Sequence, residues 1–270
     1  MAVQRSFQQP QATLYLVATP IGNLQDITLR AVAVLKQVHY ILCEDTRRTK
    51  ILLNHWQIHK PLISYHKFNA ELRHQRILML LRAGKHLALV SDAGTPLISD
   101  PGYSIVRASI EHQFNVIAVG INCAAIHGLI CAGVRCDSFY VRGFLPHGEQ
   151  QRTKQLRQLS NCTVPIVLYE SRYRILALLS DIQLVYPQAA LFVGRELTKI
   201  NEWMAWGSAA EIATNLRASS QKGEYVVVIQ QLNHQQQLTT QIKAACQLLI
   251  ERGIKRSEAK AIVKKINFLN

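Results

Sequence analysis

Residues 86–102 read HLALVSDAGTPLISDPG, an apolar run that changes character after Val90. The four apolar residues from Leu87 to Val90 predict a strand covered on both faces, as in a parallel sheet. The twelve residues after Val90 hold two glycines, two prolines and two carboxylates. This stretch is longer than an ordinary turn, and its small and rigid residues let a ligand approach the backbone. We therefore expect a ligand-binding loop at the carboxyl end of a buried strand.

The same arrangement occurs near the start of the chain, where the apolar run 14–18 passes into ATPIGNL at residues 18–24. Further short apolar runs lie at residues 39–43, 115–119, 164–169, 190–193 and 225–230. Helix-like segments separate these runs, so the sequence predicts an α/β fold. Neither small-residue loop contains G-x-G-x-x-G or G-x-x-x-x-G-K-[ST], so a phosphate cradle for a nucleotide is not expected.

The composition is typical of a folded, basic protein. Of the 270 residues, 49% are hydrophobic and 18% are charged, which excludes a disordered chain. The 31 Lys and Arg exceed the 17 Asp and Glu, which gives a net charge of +14. This excess favours a polyanion such as nucleic acid as partner. A generally basic protein without a specific polyanion is the alternative.

The cysteines and the N-terminus indicate a reduced, cytoplasmic protein without a membrane anchor. The six cysteines form no C-x-x-C and lie mostly in apolar runs, as core thiols do. No secretory signal precedes the first apolar run, and no stretch approaches the roughly 20 apolar residues that span a bilayer. His55 and His59 have the spacing of a metal pair, but no third ligand is evident, so no metal is expected.

Shifts in composition divide the chain into segments. The predicted segments are a flexible N-terminus at 1–12, an N-terminal α/β domain at 13–143, a C-terminal α/β domain at 149–230 and a basic helical extension at 242–270. Glycine and proline mark the boundary near 144–148. From residue 241 onward, seven basic minus two acidic residues give +5. This extension either contacts nucleic acid or is a solvated basic tail.

Six ordered motifs give the sequence a specific resemblance. They are ATPIGN (18–23), CEDTR (43–47), SDAGTP (91–96), YES (169–171) followed by Arg174, RELTK (195–199) and KGE (222–224). In this order they resemble the ribosomal small-subunit RNA ribose 2′-O-methyltransferase I family of the tetrapyrrole-methylase superfamily. The resemblance covers about residues 13–230 and continues into the C-terminal extension.

The resemblance implies two α/β domains of tetrapyrrole-methylase type, with S-adenosylmethionine in a cleft between them and a small C-terminal helical extension. It further implies a homodimer that methylates the ribose 2′-hydroxyl of the cytidine at position 1402 in 16S rRNA of the small ribosomal subunit. The cofactor-binding residues that it implies are Pro20, Ile21, Asp92, Ala93, Gly94, Thr95, Pro96, Cys123, Ala124, Tyr169, Gly223 and Glu224. The two loops and the net charge agree with this reading, although they do not name the cofactor.

One loop departs from the family pattern. The family carries Pro-x-Pro-Gly-Pro after its fourth strand, whereas residues 118–122 here read AVGIN. Without these prolines the loop loses fixed φ angles, so we expect a cofactor site that is less preorganised. Reduced or lost cofactor affinity is the alternative.

Methyl transfer to a ribose hydroxyl is an in-line displacement, so alignment comes first and a general base second. The unranked candidates for that base are Glu44, Asp45, Asp100, Glu170 and Glu196. Arginine forks suit phosphate, and the predicted RNA-binding residues are Arg47, Arg48, Arg172, Arg174, Lys199, Lys255 and Arg256. Solvated surface arginines are the alternative.

Two other functions are compatible with the sequence. A methyltransferase that acts on a tetrapyrrole would share fold and cofactor, but a small acidic substrate needs neither the charge of +14 nor a basic tail. The second alternative is a ribosome-assembly factor that binds RNA and is not an enzyme. In that case the altered loop at residues 120–122 would have removed catalytic activity.

Overall fold

A computed structural model gives the fold. It describes residue 4 and residues 11–218, 220–230, 246–259 and 262. The chain forms two compact units, Met1–Gly128 with Gly194–Trp203, and Leu129–Val193 with Met204–Asn270. The domain limits expected from composition stay a prediction. Most of the N-terminus 1–12 and about half of the extension 242–270 lie outside the described residues.

The first unit is built on a parallel sheet. Its elements are β1 (Thr13–Val17), α1 (Leu29–Gln37), β2 (Tyr40–Cys43), α2 (Thr46–His55), β3 (Leu62–Ser64), α3 (Ala70–Arg82), β4 (Leu87–Val90), α4 (Tyr103–Glu111), β5 (Asn115–Val119) and α5 (Ala124–Cys131), whose last residues belong to the second unit. Within the described residues the strand order is β3-β2-β4-β1-β5, and every pair is parallel. The carboxyl ends of the five described strands therefore meet at one edge of the sheet.

Strand β4 shows why its sequence is apolar throughout. Ala88 and Val90 belong to a core cluster with residues of α1 and α2, whereas Leu87 and Leu89 belong to another with residues of α3 and α4. Successive side chains of a strand point to opposite faces, so a strand between two helical layers has no polar face. The α/β fold predicted from these runs is confirmed.

The second unit is built on a mixed sheet. Its elements are β6 (Tyr140–Phe144), α6 (Glu149–Leu159), β7 (Ile166–Ser171), α7 (Ile175–Val185), β8 (Leu191–Arg195), β9 (Trp203–Gly207), α8 (Ala209–Arg217) and β10 (Glu224–Ile229). The strand order in the described part is β6-β7-β10-β8-β9. Strand β6 runs parallel to β7, and β10 runs antiparallel to it. The segment Gly194–Trp203, which joins β8 to β9, groups with the first unit.

A buried ion pair joins two helices of the second unit. Arg152 Nε of α6 lies 2.5 Å from Asp181 Oδ2 of α7, and their side chains are only 5% and 9% exposed. The Arg152 guanidinium also donates to the carbonyl of His147. A buried pair of this kind holds only while both partners are present. None of the helices in the described ranges is long and apolar enough to span a membrane.

Candidate active site

The loops that follow β1 and β4 lie side by side at the carboxyl edge of the first sheet. Thr19 N–H donates to Gly94 O at 2.8 Å, and Gly94 N–H donates to Thr19 O at 3.0 Å. The Thr19 hydroxyl adds a bond to the carbonyl of Ser91. Strand β4 lies directly beside β1 in the sheet, so the two small-residue loops of the sequence come together. A ligand crevice at this edge is the arrangement expected of a parallel α/β sheet.

The altered loop after β5 is held by hydrogen bonds where the family pattern has prolines. Asn122 N–H donates to Thr95 Oγ1 at 3.0 Å, and the Thr95 hydroxyl donates to Asn122 O at 2.8 Å. The Asn122 side chain, which is buried, donates to Asp26 O at 3.0 Å. These bonds fix the loop in place, so the missing prolines do not leave it unsupported.

Gly94 lets these three loops approach one another. Its φ is +96°, a value that side chains rarely tolerate. A Cβ at this position would lie 3.1 Å from Asn122 O and 3.5 Å from Ile21 Cγ2. Glycine is therefore needed here both for the backbone angle and for the space between the loops.

The Asp92 carboxylate, in the loop after β4, contacts the loop after β2 and the start of α2. Its Oδ1 accepts the main-chain N–H of Asp45 at 3.0 Å, and its Oδ2 lies 3.6 Å from the guanidinium of Arg48. Asp45 in turn caps α2 by accepting the N–H of Arg47. The bonds and charge of Arg47 lower the pKa of Asp45 to about 2. A carboxylate held so firmly in its ionised form is a weak base.

Asp100 lies at the end of the same loop in the opposite electrostatic environment. Burial, with a contribution from the negative charges of Glu44 and Asp92, raises the pKa of Asp100 to about 6, although a hydrogen bond with Ser91 lowers it. A general base works best when its pKa lies near the operating pH. Ser91 was not among the predicted site residues, and the only signal for it is its position directly after a buried strand.

The segment Gly194–Trp203 packs against the β1 loop inside the first unit. The Thr198 hydroxyl accepts the N–H of Asn23 at 3.1 Å, and a Cβ on Gly22 would lie 2.4 Å from Lys199 Cγ. Glu196 pairs with Lys199 at 2.8 Å, so both predicted residues are engaged with each other. Glu196 and Thr198 have φ values of +51° and +68°, which is strained backbone for residues with side chains.

The cofactor candidates of the second unit, Tyr169, Gly223 and Glu224, lie together at one end of its sheet. Glu224 pairs with Ser171 in the antiparallel register of β10 and β7, so Gly223 and Glu224 lie beside the carboxyl end of β7, near Tyr169. Of the other candidates, Pro20, Pro96 and Cys123 are buried in the first unit, and Ala93 is exposed there. Ala124 begins α5.

Glu170 has the environment of a structural residue. Its side chain is fully buried and pairs with Arg174 at 2.8 Å, and its Oε1 accepts the N–H of Ser171. The Arg174 guanidinium also donates to Leu145 O at 3.2 Å. A carboxylate enclosed in this way orders the chain after β7 and is poorly placed to take a proton from a substrate.

The predicted RNA-binding residues divide between the units. Arg47, Arg48 and Lys199 belong to the first unit, whereas Arg172, Arg174, Lys255 and Arg256 belong to the second. Most of them are exposed, and Arg172 stacks over the ring of Tyr173 at 4.5 Å. Arg174 is largely buried, and Lys199 is half-buried. In the described ranges, no three His, Cys, Asp or Glu residues are placed to hold a metal ion.

Comparisons with known proteins agree with this fold. Residues 13–213 match the family model for tetrapyrrole (corrin/porphyrin) methylases. Ribosomal RNA small subunit methyltransferase I of Synechocystis is 45% identical over 80% of this chain and 78% of its own length. The protein of that name from Halalkalibacterium halodurans is 41% identical over 85% and 80%.

Among solved structures, uroporphyrin-III C-methyltransferase from Thermus thermophilus, complexed with S-adenyl homocysteine, matches with a TM-score of 0.57. It is 16% identical over 80% of this chain and 97% of its own. At that identity the likeness concerns the fold alone, whereas the two sequence relatives match at 41% and 45% over most of the chain. This chain belongs to the ribosomal RNA small subunit methyltransferase I family, within the tetrapyrrole methylases.

Proposed function

We propose that this protein transfers the methyl group of S-adenosylmethionine to the ribose 2′-hydroxyl of a cytidine, at position 1402, in 16S rRNA of the small ribosomal subunit. The observation that carries the proposal is the meeting of the β1, β4 and β5 loops around Gly94, beside a carboxylate, Asp100, with a pKa of about 6. The names of the relatives support ribosomal RNA of the small subunit as substrate.

The residues of the first unit fit S-adenosylmethionine. The sulfonium of this cofactor is cationic, and the carboxylates of Asp92, Asp100 and Glu44 give the loop cluster a complementary negative charge. The main chain of Ala93, which lies between Asp92 and Gly94, makes no hydrogen bond within the described residues, so its polar groups are available to a ligand. When bound, the cofactor supplies the electrophilic methyl group. The matched uroporphyrin-III methyltransferase carries S-adenyl homocysteine, the demethylated product of the same cofactor.

The loops contribute to catalysis mainly by holding the reactants in line. The hydrogen bonds between Thr19 and Gly94, and those between Thr95 and Asn122, keep the three loops in one arrangement before a ligand arrives. A fixed site of this kind avoids ordering costs at the moment of reaction. The cofactor roles of Tyr169, Gly223 and Glu224, and the cleft between the domains, stay predictions.

Asp100 is the residue that we assign as general base. It would accept the proton of the 2′-hydroxyl as the oxygen attacks the methyl group. Of the other carboxylates predicted from the sequence, Asp45 is held ionised by Arg47, Glu170 is buried against Arg174 and Glu196 is paired with Lys199. Glu44 is half-buried, its negative charge acts on Asp100, and it is the alternative base. A base of this type contributes about 10²–10⁴-fold to a rate.

The net charge of +14 supports RNA over a tetrapyrrole as substrate. A polyanion attracts a strongly basic surface, whereas a small acidic ring requires only a local site. A homodimer and a cytoplasmic location are further parts of this proposal, and they rest on the family to which the chain belongs.

Radiolabelled S-adenosylmethionine tests the proposal directly. The protein is incubated with small ribosomal subunits from a strain that lacks the modification, and the labelled nucleotide is then mapped. We expect one label on the ribose of a single cytidine in 16S rRNA. Label on a base, or label only on a tetrapyrrole offered in parallel, would overturn the proposed substrate. Binding of subunits without any transfer would support the rival assembly factor.

A further inference from the structure

A cavity of about 550 Å³ lies within the second unit, where β6 and β7 end. Its lining consists of Arg142, residues 144–147, Ser171 and Arg174. The cofactor residues predicted for this unit, Tyr169, Gly223 and Glu224, are not part of that lining. The cavity is a depression open to solvent, and its volume is in the range of ligand-binding pockets. The cavity is therefore a candidate site separate from the predicted cofactor residues.

The strand β6, which contributes Arg142 and Phe144 to the cavity lining, is irregular. The pairing of β6 with β7 shifts between Val141 and Gly143, so Arg142 is an extra residue in that strand. Gly143 has a φ of +70°, which this distortion of the strand requires. Bulges re-aim a side chain and are uncommon between parallel strands. This irregularity therefore takes the Arg142 side chain out of the regular alternation of side chains along β6.

Arg142 brings an uncompensated positive charge to the cavity. Its guanidinium donates to the neutral amide oxygen of Gln155 at 2.7 Å. Among the described residues, no carboxylate forms an ion pair with it. Arg174, on the same cavity, is neutralised by Glu170 and tied to Leu145 O. Arg174 is thus held within the wall of the cavity, whereas the positive charge of Arg142 is available to a ligand.

The other side of the cavity is aromatic and exposed. The Phe144 side chain is 56% exposed, and its ring lies 5.5 Å from that of Tyr169 at an interplanar angle of 54°. An exposed ring of this kind offers a face on which a nucleic-acid base can stack. Aromatic faces next to cationic side chains are the usual means by which proteins hold single-stranded nucleic acid.

We propose that this cavity binds one nucleotide of the substrate RNA, with its base on the Phe144 ring and its phosphate at the Arg142 guanidinium. The inference rests on the proposed function, because it takes ribosomal RNA as the substrate. The positive charge of Arg142, which no carboxylate among the described residues pairs with, favours an anionic group as its ligand. A phosphate matches both the charge and the donors of Arg142.

Two substitutions in the cavity and one outside it test this. Arg142→Ala and Phe144→Ala are compared with Arg157→Ala, which removes the same charge from an exposed position of α6 outside the cavity lining. Binding to unmodified small subunits is measured without cofactor at several salt concentrations. Cofactor affinity is measured separately by titration calorimetry, and thermal unfolding checks each variant.

The two variants should differ in their salt dependence. Arg142→Ala should weaken RNA binding severalfold and reduce the slope of log K against log salt by about 0.7–0.9, the effect of one lost phosphate contact. Phe144→Ala should weaken binding about tenfold without changing the slope, because stacking is not ionic. Arg142→Lys should restore the slope, and Phe144→Trp should restore the affinity. For Arg142→Ala, cofactor affinity should stay within about twofold of the parent, since its side chain does not belong to the cofactor loops of the first unit.

Several results would overturn the inference. Equal losses for Arg142→Ala and Arg157→Ala would mean that only overall charge matters. A loss of cofactor affinity with unchanged RNA binding would assign the cavity to the cofactor. If Phe144→Ala does not fold, Phe144→Trp and Arg142→Lys test the inference instead. Parent-like RNA binding by Phe144→Trp would support a stacking face, and weakened RNA binding would contradict it. A parent protein that neither binds nor methylates the subunits would overturn the proposed function itself, whereas an active parent with parent-like variants overturns the cavity assignment alone.

Discussion

The loops at the carboxyl ends of β1, β4 and β5 in the first sheet and of β7 in the second are held by different means. At the edge of the first sheet, main-chain and hydroxyl groups of Thr19, Gly94 and Thr95 bond neighbouring loops to one another. At the corresponding end of β7 in the second unit, the buried pair of Glu170 and Arg174 holds the chain. Neutral bonds fix a geometry without adding charge, whereas an ion pair fixes a cationic side chain in a chosen place. The first edge thereby holds the β1, β4 and β5 loops together through neutral groups, and the second holds the chain after β7 through a buried ion pair.

The largest effect is expected from breaking an ion pair of the second unit. Arg152→Ala removes one partner of the buried pair with Asp181 and leaves a carboxylate in an apolar environment. Such a loss typically costs about 3–5 kcal/mol in the free energy of unfolding, and urea denaturation would measure it. The double variant Arg152→Met with Asp181→Leu should recover most of this loss, because no unpaired charge then remains. A double variant as unstable as the single one would contradict the explanation.

Asp100→Asn should have the next largest effect, and it acts at the first edge. The amide cannot accept the proton of the hydroxyl, so transfer in single-turnover measurements should fall by about 10²-fold or more. Asp45→Asn is the matched control, since Asp45 already serves Arg47 as an ion-pair partner, and its loss of rate should be much smaller. In the parent protein the rate should rise with pH until Asp100, with a pKa of about 6, is ionised. Equal losses for the two variants would remove Asp100 from the role of base.

Thr95→Val tests whether neutral bonds hold the first edge. The change keeps the shape of the side chain but removes the hydroxyl that both donates to Asn122 and accepts from it. We expect a loss of about 1–3 kcal/mol in stability, because buried polar groups of Asn122 are left without partners. Cofactor affinity, measured by calorimetry, should fall as well. Thr95→Ser keeps the hydroxyl and should retain both properties; if it does not, the methyl group is the important part.

The last prediction concerns the dependence of stability on pH. The pKa of Asp100 is about 6 in the folded chain, compared with 3.8 for an unperturbed aspartate. The folded state therefore holds this proton more tightly, and its contribution to stability, present below about pH 4, is lost as the pH rises through 6. Thermal unfolding between pH 4 and pH 7.5 should show the parent losing stability relative to Asp100→Asn. A constant difference between the two over this range would contradict the raised pKa.

The α/β fold was predictable because strands between helical layers are apolar throughout, as Leu87–Val90 is. The meeting of the two small-residue loops was predictable for a related reason, since parallel strands end at one edge of the sheet. The motifs at residues 18–23 and 91–96 then pointed to the family.

Details of the site were not predictable in the same way. The reciprocal bonds of Thr95 and Asn122 join residues far apart in the sequence, and they depend on the position of β1 between β4 and β5. Asp45 and Asp100 are the same residue type with opposite pKa shifts, because one caps a helix beside an arginine and the other is buried. Composition carries no signal for such environments.

The segment Gly194–Trp203 also has a consequence for biosynthesis. The first unit includes this segment, although the chain between Leu129 and Val193 belongs to the second. During synthesis, Thr198 is therefore translated only after residues 129–193 of the second unit. The main-chain N–H of Asn23 can bond to the Thr198 hydroxyl only after that point. A nascent chain released at Gly128 would lack the partner of Gly22 and Asn23, so the first unit completes its folding late in translation.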